Sequence, residues 1–115
     1  MPEPQNVVVR TEPIEGGFVV SLKGDIDFSR SPDLRIQLMK VLDRPLDRLI
    51  LDLGGVPYMD SSGVAVLVET LQVQRKRGKK LVLCHMQPKV QGIFEIAQLH
   101  RVFNIARDVA AAAQV

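Results

Sequence analysis

Two short apolar runs, Leu49-Ile50-Leu51 with Leu53 and Leu81-Val82-Leu83-Cys84, flank a segment whose apolar residues recur at helical intervals. A strand that is apolar at nearly every position cannot leave one face in water, so it belongs in a sheet covered on both sides. The pattern predicts a strand over Arg48–Leu53, a helix over Val64–Arg77 and a strand over Leu81–Cys84. Strands that alternate with helices at such spacing imply an α/β domain with a mainly parallel sheet.

The flanking segments extend this plan. Val7–Thr11 and Phe18–Lys23, separated by the turn signal Gly16-Gly17, predict a leading hairpin. Ser31-Pro32-Asp33 predicts a helix start capped by Ser31, with Leu34, Leu38, Val41 and Leu42 facing the core until Pro45 closes the helix. Pro88 starts a helix carrying Val90, Ile93, Phe94 and Ala97, and Val102–Ala106 predicts a last strand. Asp108 then caps a short helix over Val109–Gln114. The reading is a single domain over residues 7–115, with about five strands and about four helices, behind a loose lead-in at Met1–Asn6.

Composition narrows the function classes. Four Phe, one Tyr and no Trp argue against a surface that stacks bases or sugars, and a net charge of +2 argues against a strongly basic nucleic-acid interface. No apolar run approaches the ~20 residues of a membrane span, which points to a cytoplasmic protein without membrane insertion. The single cysteine, Cys84, excludes an internal disulfide and falls in an apolar strand, where it reads as a buried small hydrophobe.

Catalytic and metal-binding signatures are thin. His85 and His100 form no helical i, i+4 pair, and no P-loop or G-x-S-x-G elbow is present. No metal, cofactor or enzymatic activity is expected. The basic run Arg75–Lys80 reads as a helix C-terminus and a solvated turn, where cations complement the dipole.

The remaining feature is Met59-Asp60-Ser61-Ser62-Gly63, at the junction of the first apolar strand and the central helix. Unpaired backbone N–H groups and the helix dipole favour negative charge there. Asp60 reads as the N-cap. Helical geometry with Val64, Leu67, Val68 and Leu71 on the core face turns Ser61 toward the core, about 60° from Val64, and Ser62 nearly opposite, at about 160°. Val66, Glu69 and Val73 then join Ser62 on an outer row, which is a candidate partner-docking face.

The whole pattern closely resembles the anti-sigma factor antagonists, the bacterial regulatory branch of the STAS domains. Gly24-Asp25-Ile26-Asp27 resembles that family's G-[ED]-[LI]-D segment, Leu51-Asp52-Leu53 its L-[DN]-L strand, and Met59–Gly63 its M-D-S-S-G signature. Gly78–Cys84 is similar to its next turn and strand, and Phe94–Leu99 to its F-x-x-x-x-L helix end. Phe28-Ser29-Arg30-Ser31-Pro32 departs from the usual short polar and Thr-Ala run.

The resemblance implies a STAS-like fold and phosphorylation of Ser62 by an anti-sigma factor with serine-kinase activity, which supplies the ATP. A separate phosphatase would reverse it. Ser61 and Gly63 would support the phosphosite, with Asp27 and Asp60 orienting the hydroxyl or binding the kinase. Unphosphorylated, such a protein docks on the anti-sigma factor and frees the sigma factor. The alternative is a non-switching STAS subunit of a stress-signalling or lipid-transport assembly.

Overall fold

The computed structural model describes residues 7–115, so the lead-in expected at Met1–Asn6 lies outside the described residues. Among the described residues, five strands form one sheet in the order β1-β2-β3-β4-β5. Strands β1 (Val8–Ile14) and β2 (Gly17–Lys23) are antiparallel, whereas β2, β3 (Arg48–Gly55), β4 (Lys80–Cys84) and β5 (Asn104–Ala106) run parallel. The helices are α1 (Ser31–Leu42), α2 (Ser61–Lys76), α3 (Pro88–Ile96) and the one-turn α4 (Val109–Ala112). This is the mainly parallel α/β domain with a leading hairpin that the hydrophobic pattern predicts.

The two glycines of the hairpin do different work. Gly16 occupies the turn at φ +79°, a region that suits glycine. Gly17 already belongs to β2, and a Cβ there would sit 1.7 Å from the Arg48 carbonyl oxygen, so it is the close approach of β3 that excludes a side chain.

Alternation along the strands explains their continuous apolarity. Leu49, Leu51 and Leu53, with Leu81 and Leu83 beside them, face a core shared with Leu34 and Leu38 of α1, Leu67 and Leu71 of α2, and Val90 and Phe94 of α3. Ile50, Val82 and Cys84 face the other way, against Ala112 and Val109 of α4. Both faces are covered, one by three helices and the other by a single turn. Each fully buried Leu or Ile contributes about 1.5–3 kcal/mol.

Several element ends differ from the sequence reading. Ser31 is not the cap of α1; it is the first helical residue and is buried, with Arg30 before it. The chain enters α1 from a tight turn in which the Asp27 carbonyl accepts from Arg30 N (3.0 Å) and Ser31 N (2.9 Å), so no serine cap is needed. Ala97 lies beyond the end of α3 and is exposed. A 3₁₀ turn at Leu99–Arg101 shortens β5, while the Phe103 ring packs edge-on to Phe94 at 5.4 Å. Asp108 does cap α4, accepting from Ala111 N at 2.8 Å, although α4 ends at Ala112.

Candidate functional site

The site forms where the chain leaves β2 and β3 at the same sheet edge. Ile26 and Met59 make an isolated parallel bridge. Ile26 N donates to Tyr58 O and Asp60 N donates to Ile26 O, each at 3.0 Å. The Gly24–Asp27 segment is thereby zipped to Tyr58–Asp60, although the two are more than thirty residues apart in sequence. Gly63 closes the contact from the helix side. A Cβ on it would lie 2.6 Å from Met59 Cγ, 2.7 Å from Ile26 Cγ2 and 3.1 Å from Ile26 O. The glycine is therefore required by packing rather than by its backbone angles.

Asp60 ties the pieces together. Its Oδ1 accepts from Ser62 N (2.9 Å), Gly63 N (3.3 Å) and Ser62 Oγ (2.6 Å), which makes it the N-cap of α2. Its Oδ2 accepts from Phe28 N at 3.1 Å. One carboxylate thus caps the helix, orients the Ser62 hydroxyl and anchors the loop after Asp27. The Ser62 hydroxyl, aided by the N–H groups of Gly63, Ser62 and Phe28, holds the Asp60 carboxyl below its ordinary value, against a smaller opposing effect of desolvation. Asp27 is arranged likewise. Its Oδ1 accepts from Ser29 Oγ (2.5 Å) and Ser29 N (2.9 Å), and the Ser29 hydroxyl is the main reason its carboxyl is also lowered. Both acids are ionised at neutral pH, beside the positive end of a helix dipole.

The two serines sit the other way round from the helical arithmetic. Ser61 is exposed, and Ser62 is half-buried with its hydroxyl on Asp60. The buried face of α2 comprises Gly63, Val66, Leu67, Thr70, Leu71 and Gln74, a stripe turned by roughly 75° from the one predicted. The cause is two polar residues in core positions. Thr70 Oγ1 donates to Val66 O at 2.8 Å, and Gln74 Nε2 donates to Lys80 O at 2.8 Å, so each can be buried without an unpaired polar group. Counting apolar side chains alone missed them.

The predicted docking row is corrected by the same rotation. Val66 is only 8% exposed and belongs to the main core, and Val73 is half-buried against it. Glu69 is half-buried and engaged by Arg35 of α1, whose Nε lies 2.5 Å from Oε1. This row packs toward the body of the domain and α1, leaving Ser61, Ala65, Gln72, Arg75 and Lys76 as the exposed positions of α2. The structure does bring together Asp27, Asp60, Ser61, Ser62 and Gly63. It also brings in Phe28, which is 77% exposed and opens the Phe28–Pro32 loop whose departure from the family pattern the sequence shows beside the site.

The remaining chemical features are structural. Arg75 and Arg77 donate to the carbonyls of Val102 and Leu42, and Lys79 pairs with Asp47. The basic run thus caps and braces the ends of helices. Among the described residues, Asp52, Cys84 and His85 have donor atoms within 4.8 Å of one another. His85 Nδ1 already contacts Asp52 Oδ1 at 3.1 Å, which also accepts from Gly54 N. Burial, reinforced by Asp52 and Asp108, pushes the Cys84 thiol up to about 12, so it is neutral. No described helix is long and apolar enough to cross a membrane.

Comparison with known proteins agrees with this architecture. The sequence model of the STAS domain matches residues 7–112. The protein named anti-sigma factor antagonist BtrV of Bordetella bronchiseptica is 32% identical over 102 residues, spanning 87% of this chain and 88% of that protein. The anti-sigma-B factor antagonist of Bacillus subtilis is 31% identical over 101 residues, spanning 88% and 92%. A crystal structure of a Thermotoga maritima protein described as an anti-sigma factor antagonist superposes with a TM-score of 0.86 over 91% of each chain, at 16% identity, a likeness of fold.

Proposed function

The chain belongs to the STAS domain family, and from that premise we propose that it is an anti-sigma factor antagonist switched by phosphorylation of Ser62. The observation that carries the reading is the 2.6 Å hydrogen bond from Ser62 Oγ to an ionised Asp60 at the N-terminus of α2. The names of the relatives from B. bronchiseptica and B. subtilis support the partner class.

The unmodified chain docks on an anti-sigma factor through the surface around Asp27, Asp60, Ser61 and Ser62, and so releases the sigma factor. An anti-sigma factor with serine-kinase activity transfers the γ-phosphoryl group of its own ATP. The Ser62 Oγ–P bond forms as the bond to ADP breaks, and the hydroxyl proton has an acceptor in Asp60 Oδ1. The chain is the substrate, not the catalyst, and needs no cofactor of its own.

Phosphate adds about −1.5 to −2 charges. Helix N–H groups and the dipole accommodate that charge, so the fold persists. The phosphate cannot donate to Asp60 as the hydroxyl did, and it stands beside that ionised carboxylate. A partner shaped to cover a neutral serine would have to desolvate this concentrated charge, and the complex weakens. A separate phosphatase resets the switch.

Incubation with the anti-sigma kinases of its own genome and ATP, followed by mass spectrometry, should place one phosphate on Ser62. Unchanged labelling of Ser62→Ala would overturn the site. A Ser62→Asp protein that binds the anti-sigma factor at full strength would overturn the charge mechanism. Stable co-purification with a larger assembly, with Ser62→Ala fully active, would instead identify a non-switching STAS subunit.

A further inference from the structure

A phenylalanine that is 77% exposed is unusual on a turn as firmly held as this one. Phe28 N is bonded to Asp60 Oδ2 at 3.1 Å. On one side, the Asp27 carbonyl accepts from Arg30 N and Ser31 N; on the other, Ser29 is bonded to the Asp27 carboxylate through both its N–H and its hydroxyl. The backbone is fixed while the ring projects into water. Such presentation suits a contact whose ordering cost has already been met within the free protein.

Its position is the second observation. A single carboxylate receives both Phe28 N–H and Ser62 Oγ–H, the latter at 2.6 Å. A protein that brings a phosphoryl donor to Ser62 therefore works beside the Phe28 turn. Asp27 precedes Phe28 in the chain and Asp60 holds its N–H, while exposed Tyr58 lies on the segment zipped to this loop.

We propose that Phe28 is the anchor for the partner that acts on Ser62, and that this partner carries an apolar socket, rimmed by cations facing Asp27 and Asp60, beside its phosphoryl-transfer site. The inference rests on the function proposed above and adds the residue that decides which kinase is recognised. An aromatic side chain filling a socket at the centre of an interface, ringed by polar contacts, is the usual form of a binding hot spot.

The test uses the full chain and the kinase identified by the phosphotransfer assay above, with affinity measured by calorimetry for unphosphorylated proteins. Phe28→Ala should raise Kd by about tenfold or more, whereas Phe28→Leu, which still fills a socket, should stay within about threefold. As a kinase substrate, Phe28→Ala should show a raised KM with kcat nearly unchanged, the signature of lost binding rather than misplaced chemistry. Thermal unfolding of each variant should match the wild type, because the ring contributes little to the core.

Two variants separate this inference from the reading beneath it. If Ser62→Asp loses binding while Phe28→Ala keeps it within about twofold, the anchor is refuted and the switch stands. If both bind like wild type, the switch itself is refuted. An equal loss in Ile96→Ala, an exposed apolar site on α3 that is 87% accessible, would indicate generic adhesion and refute the anchor.

Discussion

Replacing Gly63 by alanine should destabilise the domain, although Gly→Ala inside a helix ordinarily stabilises it. The added methyl would stand 2.6 Å from Met59 Cγ and 2.7 Å from Ile26 Cγ2, with Ile26 O at 3.1 Å. Met59 can rotate to yield some space. The Ile26 methyl cannot do so independently, because it branches at Cβ, and Ile26 is fully buried with its carbonyl holding Asp60 N. Relief therefore requires the start of α2 to move away from the Gly24–Asp27 segment. Overpacking of this kind costs about 1–3 kcal/mol, offset by at most about 1 kcal/mol of helix propensity. The expected net loss is about 1–2 kcal/mol, or roughly 3–12 °C in Tm for a domain of this size. Gly92, within α3, is the control. A Cβ there meets nothing within 4 Å, so Gly92→Ala should gain about 0.4–1 kcal/mol. Urea and thermal unfolding of both variants provide the comparison. A Gly63→Ala protein as stable as wild type would refute the packing argument, and with it the claim that close contact with Ile26 and Met59 requires this glycine.

Two further outcomes test the electrostatics and the corrected helix face. Asp27 and Asp60 have folded pKa values below the ordinary 3.8, so the unfolded chain binds protons more readily. The stability they confer is present above that value and lost as pH falls through it toward the lower folded values. Tm measured from about pH 5 to pH 2 should fall along this limb, and Asp60→Asn should flatten it; an unchanged slope would count against the cap as an ionised carboxylate. Val66→Ala should cost about 1.5–2.5 kcal/mol in urea unfolding, since it removes two buried methyls from the core, whereas a partner-facing surface valine would change stability by less than about 0.5 kcal/mol.

Which elements form was legible along the chain, because local spacing carries the information. Leu49-Ile50-Leu51 and Leu81–Cys84 had to be strands buried on both faces, and Asp60 had to cap the helix after them, since an N-cap acts on N–H groups two and three residues ahead. The nearness of Asp60 to Ser62 was readable for the same reason, and the basic run at Arg75–Lys80 was correctly assigned to helix ends and a turn. Rotation of α2 was not readable. Thr70 and Gln74 look like surface residues until a carbonyl of their own helix or of β4 accepts their protons, and only those bonds let them displace Val64 and Val68 from the centre of the buried stripe. Family resemblance puts the Phe28–Pro32 loop at the border of the site, but the exposed ring and the bond from Phe28 N to Asp60, which joins residues 32 apart, were not readable along the chain. Sequence by itself settled the elements, the Asp60 and Asp108 caps and the mainly parallel sheet, since these follow from the periodicity of burial and from short-range hydrogen bonds. Tertiary structure decided which side chains face inward and which loops share one carboxylate, because a polar group's burial depends on a partner that the fold brings from elsewhere in the chain.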